Sequence, residues 1–247
     1  MIIYGKNPVR EFLQQPSSKI TEVYVSSEIK RGDINDLIRL AERRGIKITY
    51  LSRESLSKTA GTSYHQGVAA RLSDYEYVEV SQILSKAKER GENLLVVILD
   101  HLEDPQNFGA IIRSVYALGA HGIIIPKDRS VSVTPAVVKA SAGTASSVSI
   151  SMVTNIVRVL TGFKKGGIWI VGADPSAETS ISDQDLWGLD IALVIGSEGK
   201  GLKRLVREGC DFLLSVPTIG ELSLNASVAA GIMIYEIQMQ RRRRKDK

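Results

Sequence analysis

The sequence predicts an α/β protein in two parts. A small α/β unit over residues 1–72 precedes a larger domain, residues 93–247, built on a parallel sheet. Three observations carry this. From Leu94 onward, short apolar runs alternate with longer segments of helical spacing. Several runs, such as Leu94–Leu99 and Ile191–Ile195, are almost continuously apolar, as parallel strands covered on both faces are. Between the two parts, residues 73–92 turn charged and carry Tyr75 and Tyr77, which reads as a linker with a lead-in helix, Ser81–Arg90.

In the first part, Asn7-Pro8 reads as a helix cap followed by proline at the first helical position, with Val9, Phe12 and Leu13 as the apolar stripe. Val23 and Val25 alternate like a strand over Glu22–Ser26. Asp33–Arg44 has helical spacing and is closed by Gly45; Ile46–Leu51 is a strand. Ser52–Ala60 is a short helix ending at Gly61, followed by a polar loop, Thr62–Gly67, and a strand, Val68–Leu72.

In the second part the expected strands are Leu94–Leu99, His121–Ile125, Ser147–Val153, Ile168–Val171, Ile191–Ile195 and Phe212–Val216. The helices between them are Gln106–Leu118, Pro135–Ala142, Asn155–Lys164, Gly201–Glu208 and Asn225–Arg241. On the last helix, Val228, Ile232, Tyr235 and Met239 are expected to form a stripe in the core or at a subunit interface.

Composition narrows the function classes. Hydrophobic residues make up 43% and charged residues 24%, ordinary for a soluble globular chain. No apolar run reaches the roughly 20 residues of a membrane helix, and no signal-peptide pattern opens the chain, so a cytosolic protein is expected. The single cysteine, Cys210, excludes an internal disulfide and a cysteine metal cluster; His65, His101 and His121 have no ligand spacing. The net charge of +5, partly from the tail Arg241–Lys247, suits a polyanionic partner such as RNA, or merely a solvated end.

Two stretches organise the second domain. The run Ile191–Ile195 stops at Gly196, and Gly199 and Gly201 follow with Glu198 among them. A strand running into such a loop is where open α/β sheets hold ligands. The glycines fit neither the G-x-G-x-x-G dinucleotide pattern nor a P-loop, so alone the loop could be a tight turn. The second stretch repeats the plan: a strand, a loop with Gly220, then Ser223 and Asn225 opening a helix of small residues. Two ligand-type loops close together point to a site.

Other residues join them. Asp104 and Pro105 open a helix whose Asn107 is a cap or a site residue. Arg113, flanked by Ala110 and Ala117, either reaches outward to a ligand or makes a surface ion pair. Glu198 could hold a ligand, orient Arg113, or begin the next helix, and Ser223 and Asn225 could simply cap the last one. Ser141–Ala145, with Thr144, and Asp174 are weaker candidates. On residues alone the chain reads as an α/β enzyme or as a non-catalytic RNA-binding protein.

Asn107-x5-Arg113, Ile195-Gly196-Ser197-Glu198-Gly199-x-Gly201 and Leu222-Ser223-Leu224-Asn225-x-Ser227 resemble the three ordered motifs of the SpoU (TrmH-like, SPOUT superfamily) RNA 2′-O-ribose methyltransferases. The match runs from about Leu94 to the C-terminus. Residues 1–72, opening Tyr4-Gly5-x-Asn7-Pro8-Val9, resemble that family's substrate-binding domain, similar to ribosomal protein L30e. The two-domain form is similar to the bacterial enzymes that methylate a guanosine of 23S rRNA; tRNA is the alternative substrate.

The resemblance implies a SPOUT domain whose C-terminal part forms a trefoil knot, and a homodimer with the last helix at its interface. It implies S-adenosylmethionine as methyl donor and no metal. The donor would be held by Gly196, Val216 and Leu224, with Ile195, Glu198, Gly199, Ile219 and Asn225 nearby; Thr144 joins the donor candidates from the residues alone. The catalytic arginine would be Arg113, with Asn107, Glu198, Ser223 and Asn225 around it. The resemblance names no RNA-contact residues in the small domain; Lys6, Asn7 and Arg10 are the candidates taken from its basic and polar opening.

Overall fold

The computed structural model describes residues 1–14, 20–30, 32, 34–73, 75–220 and 223–245. Asp33 of the expected second helix, Leu222 of the third motif, and Asp246 and Lys247 of the basic tail lie outside the described residues. The chain forms two compact units, Met1–Glu76 with Val133–Ser147, and Tyr77–Ser132 with Val148–Lys247.

The first unit runs β1 (Ile2–Tyr4), α1 (Lys6–Gln14), β2 (Ile20–Ser26), α2 (Asn35–Arg43), β3 (Lys47–Leu51), α3 (Arg53–Ala60) and β4 (Val68–Leu72). The sheet order is β1-β4-β2-β3, parallel only between β2 and β3. The sequence reading lacks β1, whose three residues become a strand by pairing with β4. It also places the first cap two positions late. The helix begins at Lys6, so Asn7 and Pro8 lie within its first turn. Ser52 caps α3 by accepting the N–H of Ser55, and Gly61 closes it at φ 68°, as the sequence indicates.

The second unit begins with α4 (Val80–Arg90), β5 (Leu95–Asp100), α5 (Pro105–Leu118) and β6 (Gly122–Pro126). The chain then returns to the first unit for α6 (Pro135–Ala140) and a 3-10 turn, Thr144–Ser146. The contiguous reading set this segment in the larger domain. Its contacts explain the difference: the Lys139 ammonium lies 5.6 Å from the centre of the Tyr4 ring, and Ala145 accepts the Tyr75 hydroxyl at 3.3 Å. The second unit resumes with β7 (Ile150–Val153), α7 (Ile156–Lys165), β8 (Trp169–Ala173), β9 (Ile191–Gly196), α8 (Arg204–Glu208), β10 (Phe212–Leu214) and α9 (Ala226–Lys245).

Its sheet is parallel throughout, in the order β10-β8-β9-β5-β6-β7. Every residue of β5 and β9 is buried, which is why both read as unbroken apolar runs. Beyond β5 the chain continues towards β6, and beyond β9 towards β10 on the other side. Adjacent strands whose connections part in this way open a crevice at their carboxyl ends. Asp100 and Gly196 stand opposite each other there.

Helix α9 packs against α5, where Gln238 donates to the Leu118 carbonyl at 2.9 Å. Its buried side chains are Ala230, Met233, Ile234 and Ile237. Of the two placements expected for the stripe, the chain's own core is excluded: Val228, Ile232 and Tyr235 are exposed, and Met239 is half-buried. Periodicity finds a stripe but not which of two apolar faces the chain itself covers. Nor is Arg241 part of a loose tail. Its guanidinium donates to the carbonyls of Asn93, Leu94 and Leu189, and burial lowers its pKa to about 10.

Candidate active site

The glycine-bearing turn after β9 is folded tightly on itself. Ser197 and Gly201 exchange both backbone hydrogen bonds, at 3.1 and 2.9 Å. A Cβ on Gly196 would sit 2.2 Å from the Gly201 carbonyl carbon, so only glycine admits this closure. Gly199 takes φ 75° and Gly201 φ 63°. The turn carries Glu198 out from the strand end.

Two amides meet that carboxylate. Asp104 caps α5 through the N–H groups of Gln106 and Asn107, at 3.2 and 3.0 Å, with Pro105 in the first turn. This seats the buried Asn107, whose Nδ2 donates to Glu198 Oε1 at 2.5 Å. From the other side Asn225 Nδ2 donates to the same oxygen at 2.7 Å. Asn225 caps α9, its Oδ1 accepting the N–H and Oγ–H of Ser227 at 2.9 and 2.7 Å. With that oxygen occupied by the helix start, only the NH₂ can face Glu198. One residue from each of the three motifs therefore meets at Glu198 Oε1.

Beside this junction lies a cavity of about 440 Å³ at the carboxyl ends of β8, β9 and β10, within the usual range of small-molecule sites, about 300–1,000 Å³. Seven of the nine residues expected to hold the donor line it: Gly196, Val216, Leu224, Ile195, Glu198, Gly199 and Asn225. So does Ser223. Ile219 does not: its side chain is fully exposed. Thr144 lies in the first unit. The sequence reading lacks Leu214 and Met233, which supply apolar wall, and singles out only Asp174 of the β8 exit, Ala173–Pro175. Burial raises the Asp174 carboxyl, but Ser176 and Arg207 together hold it below its ordinary value.

Arg113 stands exposed on α5 and is not part of the cavity wall. Glu198 is held by the two amides rather than by this arginine. Cys210 is half-buried against the core, and burial pushes its thiol up to about 12, so it stays protonated. Among the described residues no group of His, Cys, Asp or Glu has a metal-ligand arrangement. No helix there is long and apolar enough to cross a membrane. In the first unit Lys6 and Asn7 border a polar groove with Lys30 and Arg53. Arg10 is instead tied to Asp36 and Asn7, at 2.5 and 3.0 Å.

By its family the chain is an RNA methyltransferase: it belongs to the SpoU rRNA methylase family, whose signature matches residues 94–235. A second signature, for RNA 2′-O ribose methyltransferase substrate binding, matches residues 2–78. The chain is 44% identical to the putative TrmH family tRNA/rRNA methyltransferase YacO of Bacillus subtilis, over 97% of its own length and 95% of that protein's. It is 42% identical to the 23S rRNA (guanosine-2′-O-)-methyltransferase RlmB of Coxiella burnetii, with the same coverage. Among solved structures, the SpoU methyltransferase AviRb of Streptomyces viridochromogenes, in complex with AdoMet, matches with a TM-score of 0.79 at 25% identity, covering 100% of this chain and 91% of that one.

Proposed function

We propose that this protein transfers a methyl group from S-adenosylmethionine to the 2′-hydroxyl of a guanosine in large-subunit rRNA, in the cytoplasm. The observation that carries the reading is the meeting of Asn107, Glu198 and Asn225 at the rim of the cavity. The cavity suits the donor: Leu214, Val216, Leu224 and Met233 offer apolar wall, while the two loops offer backbone polar groups at close range. S-adenosylmethionine brings a methyl group on a sulfonium, an electrophile that needs no further activation.

The protein's task is then alignment and charge. Gly196, Val216 and Leu224 hold the donor, and Glu198, fixed by its two amides, shapes the rim. Alignment of the reacting atoms contributes up to about 10 kcal/mol. Arg113 stabilises negative charge developing on the ribose oxygen and grips the adjacent phosphate. Its guanidinium offers only N–H donors and no acceptor, so Arg113 acts on charge and does not serve as base. The substrate phosphate beside Arg113 shares the departing proton, which passes on to water.

The reading includes a homodimer joined through α9. Val228, Ile232 and Tyr235 expose an apolar stripe there, and exposed Tyr116 and Arg113 stand on α5, which packs against α9. A dimer built on this face brings Arg113 to the partner's site. It also includes a knotted C-terminal segment, supported by the return of α9 from edge strand β10 to α5, and RNA recognition by residues 1–72, supported by Lys6 and Asn7 at the polar groove.

The test is to map ribose methylation in rRNA and tRNA from cells lacking the protein, with binding of S-adenosylmethionine to the purified chain. Loss of one 2′-O-methylguanosine in large-subunit rRNA is expected. Loss in tRNA alone moves the substrate, and absence of donor binding leaves a non-catalytic RNA-binding protein.

A further inference from the structure

Asp100 is a fully buried carboxylate that the methyl-transfer reading leaves unused. Its two oxygens are engaged separately. Oδ2 accepts the backbone N–H of Lys203 at 2.6 Å, and Oδ1 accepts from Nδ1 of His101 at 2.6 Å. His101 takes a left-handed backbone, φ 58°, a conformation that a non-glycine residue keeps only where its surroundings fix it. A buried carboxylate is tolerable because both partners are donors.

The Lys203 bond lands just past the turn that carries Glu198. That turn is closed by the Ser197–Gly201 bonds, and at Gly196 it presses against the Gly201 backbone. It therefore moves as one piece. Its root is fixed by the pairing of Asp100 with Gly196, and its far end by Asp100 Oδ2. Glu198 Oε1 must meet amides from two helices at once, which leaves that piece little freedom to rotate.

We infer that Asp100 is a positioning residue for methyl transfer: by holding the Lys203 N–H it fixes the turn that sets Glu198 between Asn107 and Asn225. The effect on catalysis rests on the methyltransferase reading; the effect on geometry does not.

The Lys203 arm can be cut by itself. Lys203 has φ −64°, the value proline imposes, so Lys203→Pro deletes one N–H with the backbone angle kept. Lys203→Ala keeps the N–H and removes only the ammonium. His101→Ala cuts the other arm. Asp100→Asn leaves an amide oxygen for Lys203 and turns its NH₂ to His101 Nδ1, which accepts as the other tautomer; Asp100→Ala leaves nothing.

Lys203→Pro and Asp100→Ala are expected to lower kcat by about 10- to 100-fold with KM for RNA unchanged. Lys203→Ala and His101→Ala stay near wild type, and Asp100→Asn recovers most of what Asp100→Ala loses. The side-chain amide NMR resonances of Asn107 and Asn225 shift in Lys203→Pro and not in Lys203→Ala. Wild-type kcat in Lys203→Pro overturns the inference, as does a fall in kcat with those resonances unmoved. If Lys203→Pro does not fold, equal losses in Asp100→Asn and Asp100→Ala overturn it. If the wild-type chain methylates no RNA, the functional reading fails and the amide resonances alone decide this one.

Discussion

Asn107 and Asn225, which open two different helices, donate to one and the same oxygen of Glu198. Each amide is fixed by a helix start, Asn107 through the Asp104 cap and Asn225 through its own capping oxygen. The carboxylate thus joins the starts of α5 and α9 to the turn after β9.

Glu198→Ala should be damaging twice over. It removes the rim of the cavity, and it strands the buried Asn107 amide, at a cost of about 1–3 kcal/mol. Glu198→Gln keeps one oxygen able to accept both amides and loses only the charge. We expect Glu198→Ala to lower both Tm and donor affinity, and Glu198→Gln to keep Tm while donor affinity falls less. Calorimetric titration with S-adenosylhomocysteine and thermal melts separate the two. Equal donor affinity in all three proteins would remove Glu198 from the site.

Arg113 invites a different comparison. It is exposed, so its substitution should leave stability within about 0.5 kcal/mol of wild type. If it acts through charge, Arg113→Lys keeps part of the methylation rate that Arg113→Ala loses. Single-turnover assays with enzyme and donor in excess over RNA read this directly. A lysine variant as inactive as the alanine one, with both ligands still bound, would contradict a pure charge role.

Much of this site was legible in the sequence, because glycines and caps are local signals. Gly196, Gly199 and Gly201 mark a turn wherever they occur, and Asp104-Pro105 marks a helix start. What joins them is not local. Nothing in the spacing says that Asn107 reaches Glu198, or that Asp100 reaches Lys203. The same limit explains β1, which exists only by pairing with β4, and the 133–147 segment, whose partners lie in the first unit. It also explains α9, where two apolar faces compete and the sequence alone does not choose between them.

The outward face of α9 gives a prediction about assembly. Ile232 and Tyr235 are exposed in the single chain, so charging them costs the fold little. Ile232→Arg with Tyr235→Glu should leave Tm nearly unchanged and convert a dimer to a monomer in sedimentation. If Arg113 serves the partner's site, methylation falls with dissociation. A variant that stays dimeric would move the interface elsewhere.

The buried histidines set a pH dependence with a definite sign. Burial, reinforced by Arg53, lowers His65, whose Nδ1 accepts the Gly67 N–H at 3.0 Å. Burial also lowers His121, against the opposing pull of the Leu95 carbonyl and Glu92. In the folded chain each ring therefore takes up its proton at lower pH than in the unfolded chain, where it binds one near pH 6.5. Below that pH the unfolded state holds more protons, so stability falls as pH drops through about 6.5 and is level above it. Glu22 does not contribute in this window. Its hydrogen bond from Thr49, with Lys47 and Tyr24 beside it, lowers it to about 2, so its share is lost only under much stronger acid. Melts between about pH 5 and 8 should therefore show Tm rising to a plateau above pH 6.5, with a shallower slope in His65→Gln. A Tm that is flat across that range would mean that burial does not lower these two rings.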